Sequence, residues 1–108
     1  MLHGTFTLAR LAIGDRVLPL VHGDVVVVAR AESSQLDWEI IAKTVEVEPV
    51  AQRTHDLQIR AITGADELGT LEMADLTGSA FLVRAIEDSL VFRGTGHLAG
   101  FDIGNLRG

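Results

Sequence analysis

The segment 54–63, THDLQIRAIT, alternates between apolar and polar side chains over most of its length. Its apolar members Leu57, Ile59 and Ala61 are each separated by one polar residue. Successive side chains of a β-strand point to opposite faces of the sheet, whereas a helix brings residues three or four positions apart to one face. The period of two therefore predicts a strand with one buried and one solvated face.

Segments of the same kind recur along the chain and are separated by turn signals. Examples are SAFLVRAI (79–86) and SLVFRGT (89–95), which flank the pair Glu87-Asp88. Short β-forming runs divided by turns about every eight to twelve residues are typical of antiparallel sandwiches and small barrels. The sequence predicts an all-β fold, a compact antiparallel β-barrel or β-sandwich of about eight or nine short strands. We expect residues 1–108 to form one domain, since a chain of this length supports a single core.

The segment 33–48, SSQLDWEIIAKTVEVE, fits two structures. As a helix it would begin at an N-cap formed by Ser34 and would place apolar residues at helical spacing. As a strand it would direct to the core the alternate side chains Leu36, Trp38, Ile40 and Ala42. The strand is favoured, and one short helix in this segment is the alternative. Segment 65–78 is ambiguous in the same way, although Gly69 in its middle weakens a helix.

Charge and composition exclude several classes of partner. The chain carries 15 Asp and Glu residues against 9 Lys and Arg residues, which gives a formal net charge of −6. The basic residues are dispersed, so the positive patch by which proteins bind nucleic acid or an anionic membrane surface is missing. No apolar run reaches the ~18 residues of a membrane span, and the N-terminus lacks the pattern of a signal peptide. We therefore expect a cytoplasmic protein that binds neither nucleic acid nor membrane.

Residues 94–99, GTGHLA, match the glycine fingerprint G-x-G-x-x-G/A of dinucleotide-binding loops. That fingerprint needs a following helix, whose N-terminus binds the pyrophosphate, and then a second strand. The residues after Gly96 are too few and too rich in glycine for both. The sequence therefore predicts no nucleotide site. Gly94 and Gly96 are instead expected to permit a bulge or close backbone packing at the end of a strand.

No residue pattern in the chain indicates a metal centre or a catalytic group. Cysteine is absent, and the histidines His3, His22, His55 and His97 lie far apart without metal-ligand spacing. No serine lies in the G-x-S-x-G motif of a nucleophile elbow. We expect no metal, no cofactor and no catalytic residue.

The segment 24–31, DVVVVARA, contains four consecutive valines, Val25, Val26, Val27 and Val28. In a strand this run places two valines on each face, and only one face can serve the core. The outer pair needs cover. If the segment 33–48 is a helix, it can cover these valines within the chain; if it is a strand, a second subunit is expected to cover them. We expect these valines to form the interface of a homo-oligomer, most simply a dimer.

Two functions of different classes agree with these features. The favoured one is a non-catalytic binding or assembly module that works as a homo-oligomer, with another protein or a small ligand as further candidate partners. The alternative is a small-ligand-binding barrel or a small enzyme with a pocket at its mouth. The candidate lining residues of that pocket are Trp38, Arg60, Arg84, Arg93 and His97. A cavity of several hundred cubic ångströms would favour the alternative, whereas a filled interior with an apolar outer patch would favour the module.

A longer pattern covers 57–78, LQIRAITGADELGTLEMADLTG, and 92–96, FRGTG. Its marked positions are Gly64, Glu67, Gly69, Leu71, Asp75, Gly78 and Gly94-Thr95-Gly96, with Pro19 and Trp38 upstream. In these positions the chain resembles a small uncharacterised all-β domain that occurs alone or appended to the C-terminus of flavin-dependent monooxygenases. One departure is an extra hairpin's worth of residues between Gly78 and Gly94. The resemblance implies an accessory or binding role and no catalytic residues.

Overall fold

The computed structural model describes all residues, 1–108, and contains seven β-strands and one 3-10 turn. The strands are β1 (Leu2–Ile13), β2 (Arg16–Leu18), β3 (Leu20–Ala29), β4 (Leu36–Thr44), β5 (Thr54–Ala65), β6 (Leu71–Ile86) and β7 (Ser89–Gly94). The turn is Ile103–Asn105. The predicted all-β class is confirmed. The chain has no helix with the length and apolar character needed to cross a membrane.

The strands form a closed antiparallel barrel rather than a sandwich. Their order in the sheet is β2-β1-β3-β4-β7-β6-β5. Strand β1 also pairs with β5, which closes six strands into the barrel and leaves β2 as an extra strand beside β1. All of these pairs are antiparallel. Closure satisfies backbone groups that would otherwise lie at the free edges of a sheet.

The barrel is flattened because two of its strands are shared between opposite sides. Residues 2–7 of β1 pair with β3, and residues 7–13 pair with β5. In β6, residues 71–81 pair with β5, and residues 80–86 pair with β7. Strands β3, β4 and β7 therefore form the middle of one broad side. The overall extents of 37 × 36 × 22 Å agree with this shape.

Alternate side chains of the barrel strands fill the interior. In β5, Leu57, Ile59 and Ala61 are buried and the polar residues between them are exposed, so the predicted alternation is confirmed. Inward side chains of the other strands complete one cluster of 19 buried apolar residues. No buried side-chain nitrogen or oxygen lacks a hydrogen-bond partner. The three depressions of the molecule are all open to solvent, so the barrel holds a packed core and not a ligand cavity.

Segment 33–48 contains strand β4 and no helix. Its residues Trp38, Ile40 and Ala42 are buried and Leu36 is half-buried, as the strand interpretation predicts. Strand β4 pairs with β3 on one side and with β7 on the other, so both neighbours supply hydrogen bonds to its backbone. These long-range pairs override the helical spacing that some of the same residues display.

The strand count is seven instead of the expected eight or nine. Segments 65–78 and 79–86 are not separate elements, because most of both belongs to the single 16-residue strand β6. A register shift between Leu82 and Arg84 lets this strand bend without a break. After β7 the chain makes only isolated bridges, Thr77–Ala99 and His3–Arg107, and adds no further strand.

The C-terminal segment, residues 95–108, covers one end of the barrel. Leu98 and Leu106 belong to the buried core cluster. The ring of Phe101 lies edge-on to the ring of Phe6, with 5.5 Å between their centroids. Backbone hydrogen bonds tie the segment to β6 and to the start of β1. That end of the barrel is therefore closed by the chain itself.

Candidate functional site

The packing of the Trp38 indole explains why position 94, the first of the GTGHLA motif, is a glycine. The side chain is buried, and a Cβ added to Gly94 would come within 2.2 Å of its ring atoms. Gly78 lies against the same indole, whose Nε1 donates a hydrogen bond of 2.9 Å to the Gly96 carbonyl. The expected close packing at Gly94 is confirmed. The residues after Gly96 lead into a bridge and a 3-10 turn, not into the long helix that a dinucleotide loop requires.

The five residues expected to line a pocket do not converge on one. Trp38 points into the core, whereas Arg60, Arg84 and Arg93 are exposed on the outside of their strands. The His97 side chain is exposed in the C-terminal segment. Trp38 and Arg93 border the same depression, and Arg60 borders a different one. The structure thus does not bring the five residues together in one pocket. Strand alternation directs the tryptophan inward and the arginines outward, and a single sequence does not reveal the register that decides this.

Arg60 forms an ion pair away from Trp38. Its Nε donates to Oδ1 of Asp75 at 2.8 Å across the β5–β6 pair. The hydrogen bond from Arg60 and the guanidinium charge hold the pKa of Asp75 below its ordinary value of 3.8. Asp75 therefore stays ionised at neutral pH and remains a partner for the Arg60 guanidinium.

His55 is a structural histidine of the core. Its ring is buried and lies edge-on to Phe92, with 6.3 Å between the centroids. Its Nε2 donates to the Ala51 carbonyl at 2.6 Å, because a carbonyl oxygen can only accept. The signal that could have predicted its burial is its phase, since His55 lies two residues before Leu57 on the inward side of β5. No group of three or more potential metal ligands occurs in the chain.

The four valines of β3 divide between the two faces of the strand. Val25 and Val27 are fully buried in the core, and Val26 and Val28 point outward and are half-buried. Strand β3 lies between β1 and β4, so its backbone is not free to pair with another chain. No helix covers the outer pair. Any protein that covers Val26 and Val28 must therefore contact the face of the sheet through side chains.

An apolar surface extends from β3 across the three strands that follow it in the sheet. Its members are the outward side chains Val26, Ile41, Val91, Val83 and Phe81. Ile41 is 43% exposed, Val83 42% and Phe81 37%, and all three lie within strands. Single exposed apolar residues are common, but a group of them on neighbouring strands of one sheet face is typical of an interaction site. We refer to these five residues and the charged residues among them as the β4–β7 face.

Four charged side chains lie among the apolar residues of the β4–β7 face. Asp24 and Glu39 belong to β3 and β4, and Arg84 and Arg93 belong to β6 and β7. Glu39 and Arg93 are direct cross-strand neighbours, yet they form no ion pair. The three ion pairs of the chain are Arg16–Glu48, Arg30–Asp37 and Arg60–Asp75. The face therefore has an acidic half and a basic half whose charges are unpaired within the chain.

A groove of about 340 Å³ lies on this face beside Val26 and is open to solvent. The residues that line it are Val26, Val28, Arg30, Asp37, Trp38, Glu39, Arg93 and Gly94. Among these, Arg30 and Asp37 form an ion pair of 2.6 Å. The two valines give the groove an apolar wall, while the charged residues surround it. Such a groove can accept an apolar side chain from another molecule.

The arrangement suits contact with a protein surface. The charged residues of the β4–β7 face lie on an open surface, whereas acid–base chemistry depends on titratable groups in a cleft that shifts their pKa values. The apolar residues lie on neighbouring strands and are interspersed with charged ones, a mixture of apolar and polar contact area that is typical of protein interfaces. No family model, no curated protein and no solved structure matches this chain.

Proposed function

We propose that this protein is a non-catalytic assembly module that associates with a second copy of itself through the β4–β7 face. The observation that carries the proposal is the contrast between the two sides of the same strands. Their inward side chains form a filled core, and outward ones such as Ile41 and Phe81 are apolar yet stay 43% and 37% exposed. Burial of such a side chain from full exposure contributes about 1.5–3 kcal/mol. Covering the part that is still exposed supplies a fraction of this for each residue, so covering several of them favours association.

The filled interior supports an assembly role over a ligand-binding one. Small-molecule sites are concave and enclose most of the ligand, whereas the depressions of this molecule are open surface features. Side chains of the kinds that often bind ligands or take part in reactions, such as Arg60 and His55, already have hydrogen-bond partners within the chain. An accessory role is also what the resemblance to the small all-β domain implies.

Closure of the barrel determines how association would occur. Strand addition needs a free edge, and β3, β4 and β7 have none because each lies between two other strands of the sheet. Association would therefore rely on side-chain packing between two sheet faces, as in a β-sandwich. A two-fold axis is the commonest symmetry for such a contact.

Sedimentation equilibrium at micromolar concentration tests the proposal, with a dimer expected. The double variant Val26→Thr/Val28→Thr removes apolar contact while keeping the shape and β-propensity of both residues, and it should weaken dimerisation about tenfold. Val17→Thr is the matched control, because Val17 is also an exposed strand valine but belongs to β2 outside the β4–β7 face. A wild-type protein that stays monomeric over the whole range would refute the proposed function.

A further inference from the structure

We propose that the two-fold axis of the dimer runs parallel to the strands between β4 and β7, and that Phe81 of each copy enters the groove of the other. This inference rests on the proposed function and adds the geometry of the contact. It follows from the register of four neighbouring strands. That register arranges the residues of the β4–β7 face in two rows across the sheet.

The first row crosses the sheet through directly paired residues. In the order of the strands β3, β4, β7 and β6, its members are Asp24, Ile41, Val91 and Arg84. The second row lies two residues away from the first on β3, β4 and β7, and three residues away on β6 because of the register shift between Leu82 and Arg84. In the same order, its members are Val26, Glu39, Arg93 and Phe81. The first row is charged at its ends and apolar in the middle, and the second row is apolar at its ends and charged in the middle.

A two-fold axis between β4 and β7 places each row against the same row of the other copy in reverse order. In the first row, Ile41 then contacts the partner's Val91, and Asp24 contacts the partner's Arg84. In the second row, Glu39 contacts the partner's Arg93, and Val26 contacts the partner's Phe81. Apolar side chains meet apolar ones, and each carboxylate meets a guanidinium that has no ion-pair partner in its own chain.

A two-fold axis perpendicular to the strands gives the opposite result. It places the first row of one copy on the second row of the other without reversing the order of the strands. Asp24 then lies on the partner's Val26, Ile41 on the partner's Glu39, Val91 on the partner's Arg93 and Arg84 on the partner's Phe81. Three of these contacts would remove a charge from water against an aliphatic side chain, which is unfavourable. Only the contact of Arg84 with the partner's Phe81 is compatible with attraction, because a guanidinium can stack on an aromatic ring. The charge pattern therefore selects the axis parallel to the strands.

The groove provides a second, independent reason for the same axis. It lies beside Val26, the position that the parallel axis assigns to the partner's Phe81. Phe81 is 37% exposed on a regular strand and forms no aromatic pair within the chain. An aromatic side chain seated in a pocket is a typical anchor of a protein interface. The two-fold axis generates two such contacts in one dimer.

Charge reversal tests the axis, because the two reversals compensate only between chains. Glu39→Arg alone creates two arginine–arginine contacts in the dimer, and Arg93→Glu alone creates two glutamate–glutamate contacts. Each single variant should associate about tenfold or more weakly than wild type. An equimolar mixture of the two should dimerise as wild type does, because each copy then meets the opposite charge at both contacts. Within each variant chain, residues 39 and 93 still carry the same charge after mixing. Recovery of dimerisation therefore reports contact between residues 39 and 93 of different chains.

Native mass spectrometry of the mixture identifies the recovered species as the heterodimer. Both variants keep a negative net charge, so overall attraction between unlike proteins does not explain recovery. Arg10→Glu is the matched control for Arg93→Glu, since it makes the same charge change on β1 outside the face and should leave dimerisation unchanged. Circular dichroism checks the fold of every variant. If a reversal at 39 or 93 prevents folding, Asp24→Arg and Arg84→Asp form the second pair, because these residues are not neighbours within the chain.

The outcomes separate the axis from the proposed function. Single variants that dimerise as wild type does, or a mixture that stays as weak as its components, would overturn the axis while leaving the dimer itself intact. A wild-type protein that does not dimerise would refute the proposed function and the axis together. Weak single variants with a recovered heterodimer would establish both.

Discussion

Gly94 and Gly96 have different surroundings although they belong to one motif. A methyl group at Gly94 would overlap the indole of Trp38, which also packs against Gly78, so the ring has little room to move away. At Gly96 no heavy atom lies within 4 Å of the corresponding position. We predict that Gly94→Ala lowers the free energy of unfolding by about 1–3 kcal/mol. Gly96→Ala should change it by less than about 0.5 kcal/mol.

Urea denaturation followed by fluorescence measures both variants, since Trp38 is the single tryptophan of the chain. Gly96→Ala is the matched control because it makes the same chemical change two residues away and keeps the carbonyl that accepts from the indole. Equal losses of stability in the two variants would contradict the assignment of Gly94 as the packing site of Trp38.

The hairpin between β6 and β7 is the element whose backbone carries identifiable strain. Its turn consists of Glu87 and Asp88, enclosed by the paired residues Ile86 and Ser89. Glu87 has a φ of 56°, in the left-handed region where a Cβ is unfavourable and where asparagine is tolerated better than glutamate. We predict that Glu87→Asn raises the free energy of unfolding by up to about 1 kcal/mol. Thermal unfolding measures the change, Asp88→Asn is the control with little effect, and a lower Tm for Glu87→Asn would contradict the assignment of strain.

Strands were predictable where alternation was local, and their lengths and partners were not. The phase of Leu57, Ile59 and Ala61 was enough to predict β5 and its buried face. Strand β6 was predicted in pieces because Gly78 resembles a strand end, yet it lies inside a strand where the Trp38 indole occupies the space beside it. The contact between Trp38 and Gly78 joins residues that are about 40 positions apart, so local sequence patterns do not reveal it.

The C-terminal segment makes the barrel one cooperative unit. Leu98 is fully buried in the common core, whereas Ile103 lies in the same segment and is 54% exposed. We predict that Leu98→Ala lowers the free energy of unfolding of the whole molecule by about 2–5 kcal/mol. Ile103→Ala should cost less than about 0.5 kcal/mol. Far-ultraviolet circular dichroism and Trp38 fluorescence should report one shared transition for Leu98→Ala, and a separate early transition would show that the segment is not part of this unit.

At the scale of the whole molecule, the candidate site could be predicted only in part. The run of valines was enough to predict one inward and one outward pair, and Val26 and Val28 are the outward pair. The rest of the β4–β7 face could not be predicted, because Ile41, Val91 and Phe81 become neighbours through the order β3-β4-β7-β6. Strands β4 and β7 are far apart in sequence, and their register is decided by the closed barrel as a whole.

The bridge between His3 and Arg107 places the two ends of the chain side by side. Their backbones exchange two hydrogen bonds, of 2.8 and 3.0 Å. A circular permutation that joins residues 108 and 1 by a short linker and opens the chain between 46 and 47 would therefore interrupt no strand. Strands β5, β6 and β7 would then be synthesised before β1 to β4, yet every strand would keep the same neighbours. The barrel is stabilised by the pairing of strands that are adjacent around its circumference, and the order in which the ribosome synthesises them does not change that pairing.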